Sequence, residues 1–140
     1  MSNINLAQNL VQKLRTSNYL ISTIESCTGG LIANLITDIS GSSQVFWGGR
    51  VVYSNNAKIA LGVDPSVINA HGAVSYETAR LLAERGLDEL RKHSAIGNDC
   101  NNTKHLICVA TTGLAEQSPE GGVCWIGIAS SNIDATFVEL

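Results

Sequence analysis

Ser26 and Thr28 stand in the run Glu25-Ser26-Cys27-Thr28-Gly29-Gly30, between one apolar segment at 19–24 and a second at 31–36. The first reads as a buried strand and the second as the opening turns of a buried helix. A turn of this kind sets a hydroxyl nucleophile and free backbone N–H groups at the rim of a sheet. The helix N-terminus there favours negative charge, and such turns are where ligands and chemistry usually sit in α/β proteins. Two further polar clusters accompany it, Gly41-Ser42-Ser43 and Tyr53-Ser54-Asn55, the latter followed three residues on by Lys58.

Taken singly, these residues mean little. A serine after a strand is most often a helix cap, and a lysine on a helix is most often solvated. A serine hydroxyl is a poor nucleophile until a base takes its proton. Histidine is the usual base, but His71, His93 and His105 all lack a clear acidic partner in the sequence. His93 reads as a helix-end or solvated group, His105 as the structural start of a strand, and His71 as a turn residue bonded to backbone. A Ser-Lys arrangement is therefore the better enzymatic option. Lysine serves as a base when burial or a neighbouring cation lowers its pKa. Tyr53 can pass the proton between Ser26 and Lys58, and N–H groups at 27–30 can bind a developing oxyanion. The serine/lysine penicillin-recognising enzymes use a similar set of groups, including a polar triplet like Tyr53-Ser54-Asn55, as chemical analogy.

The elements that must position these groups follow from periodicity. Leu6, Leu10, Val11 and Leu14 recur at helical spacing, so 4–16 is an amphipathic helix. The strand at 19–24 and a helix at 30–38 follow. Gly41-Ser42-Ser43 breaks the chain, and 45–53 reads as a strand with a kink or bulge at Gly48-Gly49. A short helix at 55–61 closes at Gly62, and Pro65 opens another turn to about residue 70. Ser75 is the expected N-cap of the longest helix, whose core face is Ala79, Leu82, Ala83, Gly86, Leu87 and Leu90. A polar loop at 98–103 precedes strands at 105–111 and 123–129, joined by a turn containing 118–122, and 135–140 reads as a final strand. The expectation is one α/β domain over 1–140, a three-layer α/β/α sandwich with a mixed sheet of about five strands.

Composition narrows the class of partner. The 140 residues carry a net charge of −3, and Arg91-Lys92 is the one adjacent basic pair, so neither nucleic acid nor an acidic membrane is an expected partner. No apolar stretch reaches the ~20 residues of a membrane span. The N-terminus, with Asn3, Asn5, Gln8 and Asn9, does not resemble a secretory signal, which points to a cytoplasmic location. Cys27, Cys100, Cys108 and Cys124 show no C-x-x-C pairing and read as small hydrophobes in a reducing compartment.

The run from Thr23 to Gly30 closely resembles the opening signature of the CinA C-terminal domain family, the nicotinamide-nucleotide amidases. The likeness continues through Leu35-Ile36-Thr37-Asp38-Ile39-Ser40-Gly41-Ser42-Ser43, Gly48-Gly49, and Val52-Tyr53-Ser54-Asn55-Asn56-Ala57-Lys58. It includes Leu61-Gly62-Val63 and His71-Gly72-Ala73-Val74-Ser75, and covers roughly residues 5–92. The resemblance implies the α/β/α fold and hydrolysis of the carboxamide of nicotinamide mononucleotide to nicotinate mononucleotide and ammonia, in pyridine-nucleotide salvage. By position it implies Ser26 as nucleophile, Lys58 as base and Tyr53 as assistant. Substrate contacts would fall to Thr28, Gly29, Gly30, Ser42, Ser43, Asn55, Thr112 and Gly113. It implies no metal and no cofactor, and homodimers or larger homo-oligomers are common in the family.

The second half departs from the family pattern. Thr112-Gly113-Leu114-Ala115 matches the start of the family's Thr-Gly-Ile-Ala-Gly-Pro segment, but Glu116-Gln117 replace Gly-Pro. The glycine-rich loop that follows is shortened and lacks its Lys-Pro step. A carboxylate at 116 near a phosphate repels it by ~1 kcal/mol or more. Residues 93–103 look like an insertion, and the chain reaches Leu140 where the family adds a basic segment and a last helix. Two alternatives stand beside the amidase: a catalytically impaired small-molecule binding or regulatory module, and an amidase for a different substrate.

Overall fold

The structure, a computed structural model, describes residues 2–94, 104–114, 122–132 and, through their backbone alone, 136–139. The expected loop at 98–103, the turn residues 118–121 and Glu116 lie outside the described residues.

Five strands form one mixed sheet in the order β2-β1-β3-β4-β5. They are β1 (Tyr19–Glu25), β2 (Phe46–Val51), β3 (His105–Gly113), β4 (Cys124–Ser130) and a short edge strand β5 (Thr136–Glu139). Strand β1 pairs in parallel with both β2 and β3, whereas β3–β4 and β4–β5 are antiparallel. The expected bulge in β2 is present: Ile21 faces Phe46 and Ser22 faces Gly48, so Trp47 is the extra residue.

Helices cover both faces. On one, α1 (Asn3–Thr16) and α2 (Leu31–Thr37) pack over Ile21, with Val11, Leu14, Ile36 and Val45 in the core. On the other, α3 (Asn55–Leu61), α4 (Pro65–His71) and α5 (Tyr76–Ser94) pack over Ile24, Cys108 and Ala110. Successive strand residues point to opposite faces. Ile21 and Ile24 thus sit in different cores, and the same alternation carries on into the residues that end β1.

Helix α5 brings Leu81, Leu82, Ala83 and Leu87 to the second core. Its N-cap is Ser75, whose hydroxyl accepts the Thr78 N–H at 3.2 Å and donates to the Gly72 carbonyl at 2.9 Å. Leu82 and Leu90 are fully buried, each contributing ~1.5–3 kcal/mol through burial. Gly86 lets the helix close on the sheet, since a Cβ there would lie 2.4 Å from the Cys108 Sγ and 2.6 Å from the Ile24 Cγ1. All three parallel strands therefore present their C-terminal ends on one edge, between the two helical layers. That edge is where ligands bind in open α/β sheets.

Candidate active site

Glu25, the last residue of β1, and Ser26, which follows it, are both buried, and alternation sends them in opposite directions. Glu25 turns toward α2, where its carboxylate accepts the N–H groups of Gly30 and Ile32 at 3.1 Å and of Ala33 at 2.8 Å. The helix N-terminus is thus filled by an internal carboxylate and anchored to the strand. Ser26, 4% exposed, turns toward α3.

Lys58 meets it there. Ser54 caps α3 by accepting the Ala57 N–H at 3.1 Å, and Lys58 follows on the inner side of the first turn. The residue is 2% exposed. The amine donates to the Ser26 Oγ at 2.9 Å, the Val52 carbonyl at 2.9 Å and the Tyr53 carbonyl at 2.8 Å. Three acceptors match the three protons of an ammonium. Once one proton is lost, the two carbonyls hold the remaining N–H groups and the lone pair faces the serine hydroxyl. Burial lowers the Lys58 pKa from its ordinary value, and the nearby Cys27 thiol, when ionised, opposes part of that shift. Among the described residues no carboxylate pairs with this amine.

Strand β3 holds the turn from the other side. Thr111 is 1% exposed, and its hydroxyl accepts the Ser26 N–H at 3.4 Å and shares a 2.8 Å bond with the Thr28 hydroxyl. Thr111, Glu25 and the two carbonyls before α3 went unassigned in the sequence. A pair of threonines closing a strand beside a glycine, Thr111-Thr112-Gly113, was the available signal for the first.

Several expected contacts are placed differently. Tyr53 supplies its backbone carbonyl to Lys58, while its residue is 63% exposed. Lys58 reaches Ser26 directly, so no gap remains for a phenol to bridge. The Gly30 N–H goes to Glu25 and the Gly29 N–H to the Ser26 carbonyl. Cys27 and Thr28 keep the amides of the turn that none of these bonds engages. Ser42 and Ser43 precede β2, whose pairing with β1 starts at Phe46, and so lie at the opposite edge of the sheet, ~17 Å or more from Ser26. Asn55 is exposed at the start of α3. The Thr112 hydroxyl donates to the Ala73 carbonyl at 2.7 Å, and Gly113 packs beneath the Cys27 thiol.

The histidines stay away from the serine. His71 approaches Glu77 on the surface at 3.4 Å, His93 stacks on Trp47, and His105 tilts against Tyr19. Among the described residues no group of His, Cys, Asp or Glu is arranged to hold a metal, and no helix is long and apolar enough to cross a membrane. A cleft of about 630 Å³ lies between β2, α3 and α5, lined by Arg50, Val52, Ala57, Arg85 and Glu89 among others. It contains neither Ser26 nor Lys58, so the chemistry of the serine and lysine, not cleft size, identifies the candidate site.

Comparison with known proteins bears on the family and the fold. The family model of the CinA C-terminal domain matches residues 3–139. A CinA-like protein of Chloroherpeton thalassium is 44% identical over 133 residues, covering 90% of this chain and 28% of that protein. A putative competence-damage inducible protein of Caldanaerobacter subterraneus subsp. tengcongensis is 51% identical over 134 residues, covering 93% of the chain and 29% of the relative. The chain thus spans under a third of the length of these curated relatives. Among solved structures, the competence/damage inducible protein CihA from Agrobacterium tumefaciens superposes with a TM-score of 0.81 at 32% identity, covering 99% of this chain and 81% of that one.

Proposed function

The chain belongs to the CinA C-terminal domain family, and from that premise we propose that it is an amidohydrolase working through a Ser26 acyl-enzyme. The observation that carries this reading is the 2.9 Å contact between a buried lysine amine and a buried serine hydroxyl at the C-terminal edge of the parallel strands. The substrate we propose is nicotinamide mononucleotide, hydrolysed to nicotinate mononucleotide and ammonia.

In the neutral form the Lys58 lone pair accepts the Ser26 proton as the serine oxygen attacks the amide carbonyl carbon. The carbonyl oxygen becomes an oxyanion, for which the Cys27 and Thr28 N–H groups are the available donors at the turn. The Lys58 ammonium then returns its proton to the departing nitrogen, and ammonia leaves. Water attacks the resulting ester with Lys58 again as base, releasing the carboxylate and restoring the serine. The Val52 and Tyr53 carbonyls hold the amine through both protonation states, so the base does not swing away between steps. Glu25 and Thr111 fix the turn from its two sides and act as positioning residues.

A second reading, an amidase for a less phosphorylated carboxamide, is favoured by one observation: the N–H groups of Gly30, Ile32 and Ala33 at the α2 N-terminus, where a phosphate would bind, are already taken by Glu25. Ammonia release from nicotinamide mononucleotide and nicotinamide riboside, measured side by side, tests both. Faster release from the mononucleotide supports the first reading and faster release from the riboside the second. No release from either at high enzyme concentration contradicts the amidase.

A further inference from the structure

Cys27 follows the proposed nucleophile, and its Sγ lies 3.7 Å from the Sγ of Cys124, the first residue of β4. The two residues are 97 positions apart in the chain, and both thiols are free and half-buried. They meet because Gly113, paired with Cys124 in the β3–β4 ladder, has no side chain. A Cβ at 113 would lie 2.9 Å from the Cys27 Sγ and 3.1 Å from the Cys124 Cα. A glycine whose side of the strand is occupied by one thiol, and whose ladder partner carries the other, builds a two-cysteine site beside the reactive serine.

We propose that Cys27 and Cys124 form a reversible disulfide in the presence of a hydroperoxide, and that this bond switches off chemistry at Ser26. Burial and the neighbouring Cys27 push the Cys124 thiol up to about 11, which leaves Cys27 as the attacking group. Its thiolate attacks one peroxide oxygen, the O–O bond breaks, and a sulfenic acid and hydroxide form. The Cys124 thiol then attacks the sulfenic sulfur, the S–O bond breaks, and the hydroxyl leaves as water with the thiol proton. Two thiols and one hydrogen peroxide thereby give one disulfide and two waters.

The consequence for the site is geometric. A disulfide holds its sulfurs ~2.05 Å apart, so the two sulfurs must approach by ~1.7 Å, which draws the turn toward β4. Thr111 holds the same turn to β3 through Ser26 and Thr28. Closure toward β4 therefore shifts the Ser26 hydroxyl and the Cys27 N–H relative to Lys58, which is fixed by backbone carbonyls. A misplacement of ~1 Å costs ~100-fold in rate.

Only the activity part of the test rests on the amidase reading. The reduced chain is treated with hydrogen peroxide, alkylated and digested without reductant. We expect one cross-linked peptide pair joining Cys27 to Cys124, cleaved by dithiothreitol, with amide hydrolysis falling ~100-fold and returning on reduction. Cys124→Ser is expected to match the wild type when reduced. Under excess peroxide its Cys27 runs on to sulfinic acid, which dithiothreitol does not restore, whereas the wild type recovers. Finding Cys27 and Cys124 only as separate peptides, or full recovery of Cys124→Ser alongside the wild type, overturns the proposal. A mapped cross-link in a protein without amidase activity when reduced supports the disulfide and overturns the amidase.

Discussion

The Lys58 amine and the Ser26 hydroxyl oxygen are 2.9 Å apart across a separation of 32 residues. Strand alternation turns Ser26 to the α3 face and leaves Glu25 on the α2 face, so the carboxylate beside the serine in sequence is kept away from the lysine. Among the described residues the amine therefore has only neutral oxygen acceptors. A charged lysine in that setting loses hydration without gaining a counter-ion, which is the condition that makes lysine a base.

The rate of amide hydrolysis is expected to rise with pH as Lys58 deprotonates, with a midpoint below the ordinary lysine value of 10.5. Lys58→Arg keeps the charge and cannot give up a proton, so kcat/KM should fall ~10³-fold at every pH and lose the ascending limb. A pH–rate profile of both proteins checks this. An active Lys58→Arg enzyme contradicts the base assignment.

The same group makes stability depend on pH in a set direction. Its folded pKa is lowered below the unfolded 10.5, so between the two values the unfolded chain binds more protons and folding stability rises with pH. Below the folded pKa the penalty for burying the charge is fully present. Lys58→Met removes the titration. The stability difference between Lys58→Met and wild type, from urea unfolding at successive pH values up to about 10, should shift in favour of wild type as pH rises. A constant difference contradicts a lowered pKa.

Glu25→Ala should cost ~2–4 kcal/mol, because the half-buried N–H groups of Gly30, Ile32 and Ala33 all lose their acceptor. Glu25→Gln keeps one acceptor oxygen and should cost less. Urea unfolding measures both, and equal losses in the two variants contradict the role given to the carboxylate.

Gly86→Ala gains intrinsic helix propensity of ~1 kcal/mol but sets a methyl 2.4 Å from the Cys108 Sγ. Overpacking of this kind costs ~1–3 kcal/mol, so a net loss is expected. Cys108→Ala in the same chain should recover part of it, with the Ile24 contact at 2.6 Å keeping the rest. Thermal unfolding of the single and double variants reads the coupling. A gain in stability for Gly86→Ala alone shows that the helix and sheet part without cost.

The turn at 25–30 and the short helix carrying Lys58 were legible because apolar runs of strand and helix length bracket them. The family resemblance read from the same segments is borne out by the match over 3–139, and with it the mixed α/β sandwich. What stayed hidden depends on orientation and register. Ser42 and Ser43 look equivalent to Ser26 as polar breaks, yet one break precedes its strand and the other follows, and a strand's length separates them. The α2 N-terminus looked like an open anion site because periodicity does not say which way the last strand residue points. Glu25 fills it. The meeting of Cys27 with Cys124 follows from the β3–β4 register and from Gly113, neither of which spacing in the sequence reveals.

The most direct test of the central claim is the rate of ammonia release from nicotinamide mononucleotide by Ser26→Ala against wild type, with folding of both checked by circular dichroism. We expect release by the wild type and a fall of ~10³-fold or more in the variant. Release by Ser26→Ala at the wild-type rate would contradict the acyl-enzyme account.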